Sequence, residues 1–203
     1  MRAGSDRFEL VMEAVTNGTV AEMRSACEEL IRAWKDVPVE PLLSLKEQFH
    51  RLDLEHREAH IDEALISIAE KRPGPFTSIA TEPAHPLWRP AVEVLSMAGD
   101  PGYMDLFISL LPMCPRKNLK DLVRAIGNYR DAAVVEALRP YLSSEDEGVF
   151  FEAVTAFKRN GGPGAAMYLK KCLDVKRREG SLTVSVLESV IQEMENGRRP
   201  IDG

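Results

Sequence analysis

The sequence predicts an all-α protein whose second half is a stack of antiparallel helix pairs. Along most of the chain apolar residues recur at spacings of three and four, and Leu, Ala, Glu and Arg are abundant while aromatics make up only 6%. In the second half, apolar columns and turns also repeat every 31 residues. The first observation favours helices over strands, and the second favours a solenoid in which each helix pair covers its neighbour.

Residues 1–72 are predicted to form an N-terminal region of about four helices. Asn17-Gly18 is typical of a helix end, and Thr19 with Glu22 forms a capping-box sequence for the next helix. Pro38 interrupts that second helix. In chain order the predicted helices cover about residues 6–15, 20 to the break before Pro38, 39–52 and 53–71.

A proline-rich connector is predicted at residues 73–86. Five prolines and one glycine lie between residues 73 and 90, and proline removes helix donors and restricts the residue before it. The domain boundary is therefore expected here. The segment is either a hinge or an ordered loop pinned by Phe76 and Trp88, and its large apolar side chains favour the loop.

Residues 87–203 are predicted to contain the repeats and a C-terminal capping helix. The turns beginning at Asp100, Asp131 and Gly162 follow the same period. A last helix, about residues 181–196, follows it only with a two-residue insertion, which suits a cap. The four apolar columns are Ala91/Leu122/Ala153, Leu95/Ile126/Phe157, Phe107/Leu138/Leu169 and Leu111/Leu142/Leu173.

Two segments of this region resemble HEAT-like repeats, in particular the short bacterial kind found in phycobilisome lyase-type proteins. Residues 145–157 follow the pattern of an acidic turn, a valine and then small and large apolar residues, and residues 122–128 follow it more weakly. The resemblance implies a right-handed α-solenoid, or superhelix, of antiparallel helix pairs. Phe150 stands where the family has an arginine, which implies a more apolar junction between repeats.

Charge and cysteine content restrict the function classes. The net charge is −6, with a balance of −8 over residues 1–113 and +4 over residues 114–180. Acidic residues interleave with the basic ones, which counts against nucleic acid as a partner. The chain has no apolar run of signal-peptide or membrane-spanning length, and its three cysteines are far apart. Buried free thiols and a cytoplasmic location are therefore expected.

One constellation could bind a metal. His56 and His60 are four residues apart on a predicted helix, with Glu63 three residues further, so the three could share an ion. The surrounding charges favour the alternative, a solvated helix face. Cys114, near several cations, is interpreted as structural because no histidine follows His85. No catalytic residue and no cofactor are predicted.

The resemblance further implies that the second helix of each pair lines the concave face. The exposed rows on those helices would then be Asp105/Glu136/Met167 and Ile108/Arg139/Lys170. Apolar residues beside charges suit a protein or peptide groove. The predicted function is a non-catalytic adaptor, scaffold or assembly factor that binds another protein. The alternatives are a bilin-lyase-like enzyme subunit, which would bind pigment, and a nucleic-acid-binding helical-repeat protein.

Overall fold

The computed structural model confirms the all-α class. Residues 2–196 are described, and within them there are twelve α-helices, two 3₁₀ turns and no strand. The side chains of residues 2–6 and 163 are not described, and residues 197–203, the end of the predicted repeat region, lie outside the described part. The helices are α1 (Arg2–Asn17), α2 (Val20–Arg32), α3 (Val39–Arg51), α4 (Glu55–Lys71), α5 (Gly74–Ala80), α6 (Trp88–Ala98), α7 (Pro101–Leu110), α8 (Arg116–Gly127), α9 (Ala132–Leu138), α10 (Glu147–Asn160), α11 (Gly162–Arg178) and α12 (Val184–Asn196).

The chain divides into two compact units between Asp100 and Pro101, not at residues 73–86 as the proline pattern predicts. The proline-rich segment is ordered and contains α5, whose Phe76 is fully buried. The indole N–H of Trp88 donates to the carbonyl of Ala80 at 2.9 Å, which ties α5 to α6. The segment is thus ordered and held by Phe76 and Trp88 as predicted, but half of it forms the helix α5 instead of a loop. The unit boundary falls at the turn within the first predicted helix pair. None of the described helices is long and apolar enough to cross a membrane.

In unit 1, α4 packs against α2, α3 and α6, and an arginine at each end of it binds neighbouring backbone. Arg57 donates to the carbonyls of Val15, Thr16 and Gly18 at 2.8–3.0 Å, which satisfies the free end of α1. Arg72 donates to the carbonyl of Lys35, at 2.6 Å, and to that of Val37 in the loop between α2 and α3. The two arginines at the ends of α4 therefore stabilise the connection between α1 and α2 and the loop between α2 and α3.

Two sequence predictions about helix starts can be compared directly. The capping box of Thr19 and Glu22 is present, with both reciprocal hydrogen bonds. The fourth helix begins at Glu55 rather than Asp53, because Asp53 has a left-handed backbone conformation with a φ of 56° that cannot continue a helix. The last helix begins at Val184, three residues later than predicted.

A buried lysine connects three helices of unit 1. Lys46, on α3, has no exposed surface, and its ammonium lies between carboxylates of α4 and α6. Its Nζ is 3.0 Å from Glu58 Oε1, 2.6 Å from Asp62 Oδ1 and 3.2 Å from Glu93 Oε2. An outer pair adds to the network, since Arg89 Nη2 lies 2.7 Å from the Glu47 carboxylate.

The protonation of this network follows from its geometry. Burial lowers the pKa of Lys46, but Glu93 and Asp62 outweigh it, so the pKa is raised and the ammonium keeps its proton. Burial also raises the pKa of Asp62, and Lys46 compensates only in part. Burial raises the pKa of Glu58, but the hydrogen bonds and charges of Lys46 and His50 together outweigh it, so the pKa is lowered. One ammonium therefore restrains three carboxylates that would otherwise repel one another.

In unit 2, α10 lies at the centre and packs against α8, α9, α11 and α12. The predicted columns are buried there: Leu122, Ile126, Ala153, Phe157, Leu138 and Leu169 have no exposed surface. Polar contacts also join residues about one period apart. Arg124 Nη2 lies 2.7 Å from Glu152, Arg159 donates to Asn128 at 2.7 Å, and Cys172 Sγ donates to the Leu142 carbonyl at 3.4 Å. Helices of successive predicted pairs therefore meet in register within this unit.

The tightest of these contacts is between α8 and α10. A Cβ added at Gly127 would lie 2.7 Å from the methyl carbon of Ala156 and 3.4 Å from its Cα. Real Cβ atoms do not approach so closely, so the two backbones can pack at this point only because residue 127 has no side chain. Phe150, which stands where the HEAT-like pattern has an arginine, is buried on α10.

Replacing Lys46 tests the buried network. The Lys46→Met variant should lose about 3 kcal/mol of unfolding free energy, because it leaves three partly buried carboxylates without a counter-charge. Exposed Lys71→Met on α4 is the matched control and should change stability by less than about 0.5 kcal/mol. Urea denaturation measures both. Equal stability of Lys46→Met and the wild type would contradict the assignment.

The same variant has a predicted pH dependence. In the wild type the pKa of Glu58 is lower in the folded protein than its ordinary value of 4.5. Glu58 therefore stabilises the folded state at pH values above 4.5, and this stabilisation is lost as the pH falls below 4.5 through the lowered pKa. Without Lys46 the carboxylates repel one another at neutral pH and take up protons more readily. The difference in unfolding free energy between wild type and variant should therefore be largest near pH 7 and should narrow as the pH falls towards 4.5. A difference that widens over this range would contradict the account.

The approach of α8 and α10 is tested by a double-mutant cycle. Gly127→Ala should destabilise unit 2 by about 1–3 kcal/mol through overpacking against Ala156. Adding Ala156→Gly should recover part of that loss, because it vacates the space. Gly164→Ala on α11, where a Cβ would meet nothing within 4 Å, is the control and should cost little or nothing. Additive effects of the two α8–α10 substitutions would show that these residues do not touch.

Candidate functional site

The candidate site lies on α9 and α11, the second helices of two successive predicted pairs. The Asp131 side chain caps α9 by accepting from the Ala133 amide at 2.8 Å. Pro140 follows Arg139 and cannot continue the α-helix, so the chain passes into a 3₁₀ turn with Arg139 at its start. Before α11, Gly161 and Gly162 both have positive φ angles, 61° and 75°, which permit the sharp reversal from α10.

Tyr168 joins the two helices. Its hydroxyl donates to Glu136 Oε1 at 3.1 Å and accepts from Arg139 Nη1 at 3.2 Å. Arg139 Nη1 also donates to Glu136 Oε2 at 3.3 Å, which closes a ring of three side chains. The Tyr168 hydroxyl, as the acceptor, raises the pKa of Arg139, and Glu136 acts in the same direction. The guanidinium is thus positively charged and held in one orientation.

The aromatic ring of Tyr168 is supported from the protein side and flanked by cations. Its inner edge packs on the buried Phe157 of α10 at a centroid distance of 6.2 Å with the rings nearly perpendicular. The Arg139 guanidinium lies 5.5 Å from the ring centroid and the Lys171 ammonium 5.9 Å. Cations at these distances are attracted to the face of an aromatic ring. Tyr168 is therefore a half-buried aromatic anchor in a defined position.

A surface cleft of about 350 Å³ extends from this point along the starts of α9 and α11. It is bounded on one helix by Val135 and Glu136 and on the other by Ala165 and Tyr168, and Arg130 also lines it. The exposed side chain of Met167 stands next to Tyr168 in the chain, with 45% of its surface accessible. We call Glu136, Arg139, Met167, Tyr168 and Lys171 the α9–α11 surface.

The structure brings some of the predicted binding residues together and leaves others apart. Glu136 and Arg139 form the ring described above, and Met167, the residue before Tyr168 in the chain, is exposed. Lys170 lies on α11 but pairs with Glu195 of α12 at 2.6 Å. Asp105 is exposed and Ile108 half-buried on α7, which packs against α8. The sequence analysis did not select Tyr168, because in the 31-residue repeat it aligns with Leu106 and Ala137 and not with either of the two predicted exposed rows. Only its aromatic side chain distinguishes it from those two residues.

The residues of the histidine constellation lie along α4 and are exposed or half-buried. His56 and Glu63 are exposed and His60 is half-buried along α4. Within residues 2–196 no group of three or more His, Cys, Asp or Glu side chains has a geometry that could hold a metal ion. The Glu63 carboxylate is instead close enough to Cys27 to raise the pKa of that thiol, together with burial, which is the larger cause. The solvated helix face describes these residues better.

The cysteines are free thiols with raised pKa values. Burial raises the pKa of Cys27 to about 11, and burial with a contribution from Asp121 raises that of Cys114 to about 11. The pKa of Cys172 is also raised, chiefly by burial. The cations close to Cys114 in sequence do not activate it, since a nucleophilic cysteine requires a lowered pKa. The structural interpretation of Cys114 therefore fits its environment.

Comparisons with known proteins give little further information. No protein-family model matches the chain, and no curated protein matches it. One similar solved structure is a crystal structure of an engineered protein, with 17% sequence identity. The match covers 93% of this chain and 94% of that one, with a TM-score of 0.47. A score below 0.5 at this identity does not assign a fold or a function.

The thiol environment predicts slow alkylation. At pH 8 iodoacetamide should modify Cys114 at least about a hundredfold more slowly than free cysteine, because a pKa of about 11 leaves little thiolate. The rate should rise about tenfold per pH unit between pH 8 and 10. Peptide mass spectrometry measures the rate at Cys114, and the unfolded protein is the control. A plateau in the rate by pH 9 would show that the thiol is not perturbed in this way.

Proposed function

We propose that the protein is a non-catalytic protein-binding module, acting as an adaptor, scaffold or assembly factor. We also propose that its repeat region is a right-handed solenoid of HEAT-like helix pairs. The polar contacts and buried columns that recur about 31 residues apart in unit 2 support the repeat. Stacking of this kind presents the second helices side by side and produces an extended surface.

The observation that carries the proposal is the composition and order of the α9–α11 surface. Tyrosine, arginine and methionine are enriched at the centres of protein interfaces, and tyrosine and arginine are enriched among the residues that dominate binding energy. Here Tyr168 and Arg139 contact each other and are joined by a hydrogen bond, and the exposed Met167 precedes Tyr168 in the chain. Binding would therefore cost little side-chain entropy.

The distribution of charge pairs favours a protein partner over nucleic acid. Many basic side chains of unit 2 are already paired with carboxylates, among them Arg124 with Glu152, Lys158 with Glu193 and Arg177 with Glu188. A nucleic-acid-binding surface needs cations that are free to neutralise phosphates. A series of ion-paired lysines and arginines offers a weak field for that purpose.

Substitution of the exposed methionine tests the proposal. The tagged protein is used to capture binding proteins from an extract of the cells that produce it, and recovery is quantified by mass spectrometry. Met167→Glu should reduce recovery of the specific partner about tenfold or more, because it replaces an exposed apolar side chain of the surface with a charge. Met113→Glu, at another exposed methionine of unit 2, is the matched control and should leave recovery unchanged. Equal recovery with the two variants would contradict a binding role for the α9–α11 surface.

A further inference from the structure

Arg139 has hydrogen-bonding capacity that the folded protein does not use. Its internal hydrogen bonds, to Glu136 and to Tyr168, both leave from Nη1. Among the described residues Nε and Nη2 have no hydrogen-bond partner, and 54% of the side chain is exposed. The Nε–Nη2 edge of a guanidinium carries two parallel N–H groups that match the two oxygens of a carboxylate.

This free edge is preorganised. Glu136 and Tyr168 fix one side of the guanidinium, and the Tyr168 ring is fixed in turn by Phe157. An arginine on a flexible surface must lose rotamer freedom when it binds, whereas Arg139 has already lost much of it on folding. The protein therefore holds a two-pronged donor in a defined position at its surface.

The charges around Arg139 favour an anion. Glu136 has both oxygens engaged, one with Tyr168 and one with Arg139, so it neutralises part of the arginine charge without blocking the free edge. Lys171 supplies a second cation on the other side of the tyrosine ring. Asp131, the next acid along the cleft, is engaged with one oxygen in the cap of α9. Arg130 also lines the cleft, so three cations stand against the carboxylates of Glu136 and Asp131, and the local balance is positive by one charge.

The apolar surroundings indicate what carries the anion. Met167, which precedes Tyr168 in the chain, is exposed, and the cleft between α9 and α11 is lined by the half-buried Val135 and the buried Ala165. A small inorganic anion would leave Met167 and Val135 in water. A peptide segment with both carboxylate and aliphatic side chains could cover them and present a carboxylate to Arg139 at the same time.

We propose that the α9–α11 surface recognises an acidic segment of a partner protein, with a glutamate or aspartate carboxylate bound by the Nε–Nη2 edge of Arg139 and an adjacent aliphatic side chain against Met167 and Tyr168. This assignment rests on the proposed protein-binding function. It adds to that function the chemical class of the partner segment, which the arginine at position 139 determines.

The test measures binding of a fluorescein-labelled peptide of repeated Glu-Glu-Leu to the full chain by anisotropy. The peptide should bind, and a Gln-Gln-Leu peptide of the same length should bind at least about tenfold more weakly. Arg139→Lys keeps the charge and removes the two-pronged edge, so it should weaken Glu-Glu-Leu binding about tenfold. Arg178→Lys, at an exposed arginine further along α11, is the control and should leave affinity unchanged. Thermal melts of both variants establish that they are folded.

Several outcomes would overturn the assignment. These are equal affinity of wild type and Arg139→Lys, equal affinity for the Glu and Gln peptides, or no binding of Glu-Glu-Leu at millimolar concentration. Tighter binding of a phosphoserine peptide or of a single-stranded oligonucleotide would equally replace the acidic segment with a phosphate partner. If either pair of affinities is equal but Met167→Glu still reduces partner capture, the acidic-segment assignment is wrong and the protein-binding function is not. The two failures are therefore distinguishable.

Discussion

The close packing of α8 against α10 is the constraint on which unit 2 depends. Where Gly127 faces Ala156 there is no room for a Cβ, so one relative position of the two helices is selected and others are excluded by steric overlap. The positions of α9 and α11 are fixed as a result, because short turns connect α9 to α8 and α11 to α10. Tyr168 is thereby placed within reach of Glu136 and Arg139. The candidate binding surface is a consequence of backbone packing at a position that carries no functional group.

In unit 1 the relative positions of the helices are fixed by ion pairs instead of by close backbone packing. The ammonium of Lys46 is removed from water and balanced by carboxylates of two other helices, with the Arg89–Glu47 pair outside it. A buried charge is costly unless its partners are in place, so this arrangement penalises every alternative packing of α3, α4 and α6. Arg57 and Arg72 act similarly at the ends of α4 by binding carbonyls that would otherwise lack partners.

The sequence was sufficient to predict the helices outside the proline-rich segment and most of the buried columns, because both follow from local periodicity. The Thr19–Glu22 capping box and the buried Ala153 and Phe157 are examples. The sequence was not sufficient to predict that Lys46 is buried. A lysine is expected at the surface unless its charged partners on other helices are known. The unit boundary at Asp100 and the role of Tyr168 also depend on packing between segments far apart in the chain. The partner surface itself stays a prediction.

A single solution measurement tests the register of the helix pairs most directly. In a ¹³C-edited NOESY spectrum of the labelled protein, the methyl protons of Ala156 should show a strong cross-peak to the Hα protons of Gly127, because the two residues are in van der Waals contact. Cross-peaks between the rings of Phe157 and Tyr168 should accompany it. If Gly127 instead shows cross-peaks to a helix other than α10, the stacking described here is incorrect and the surface derived from it does not exist.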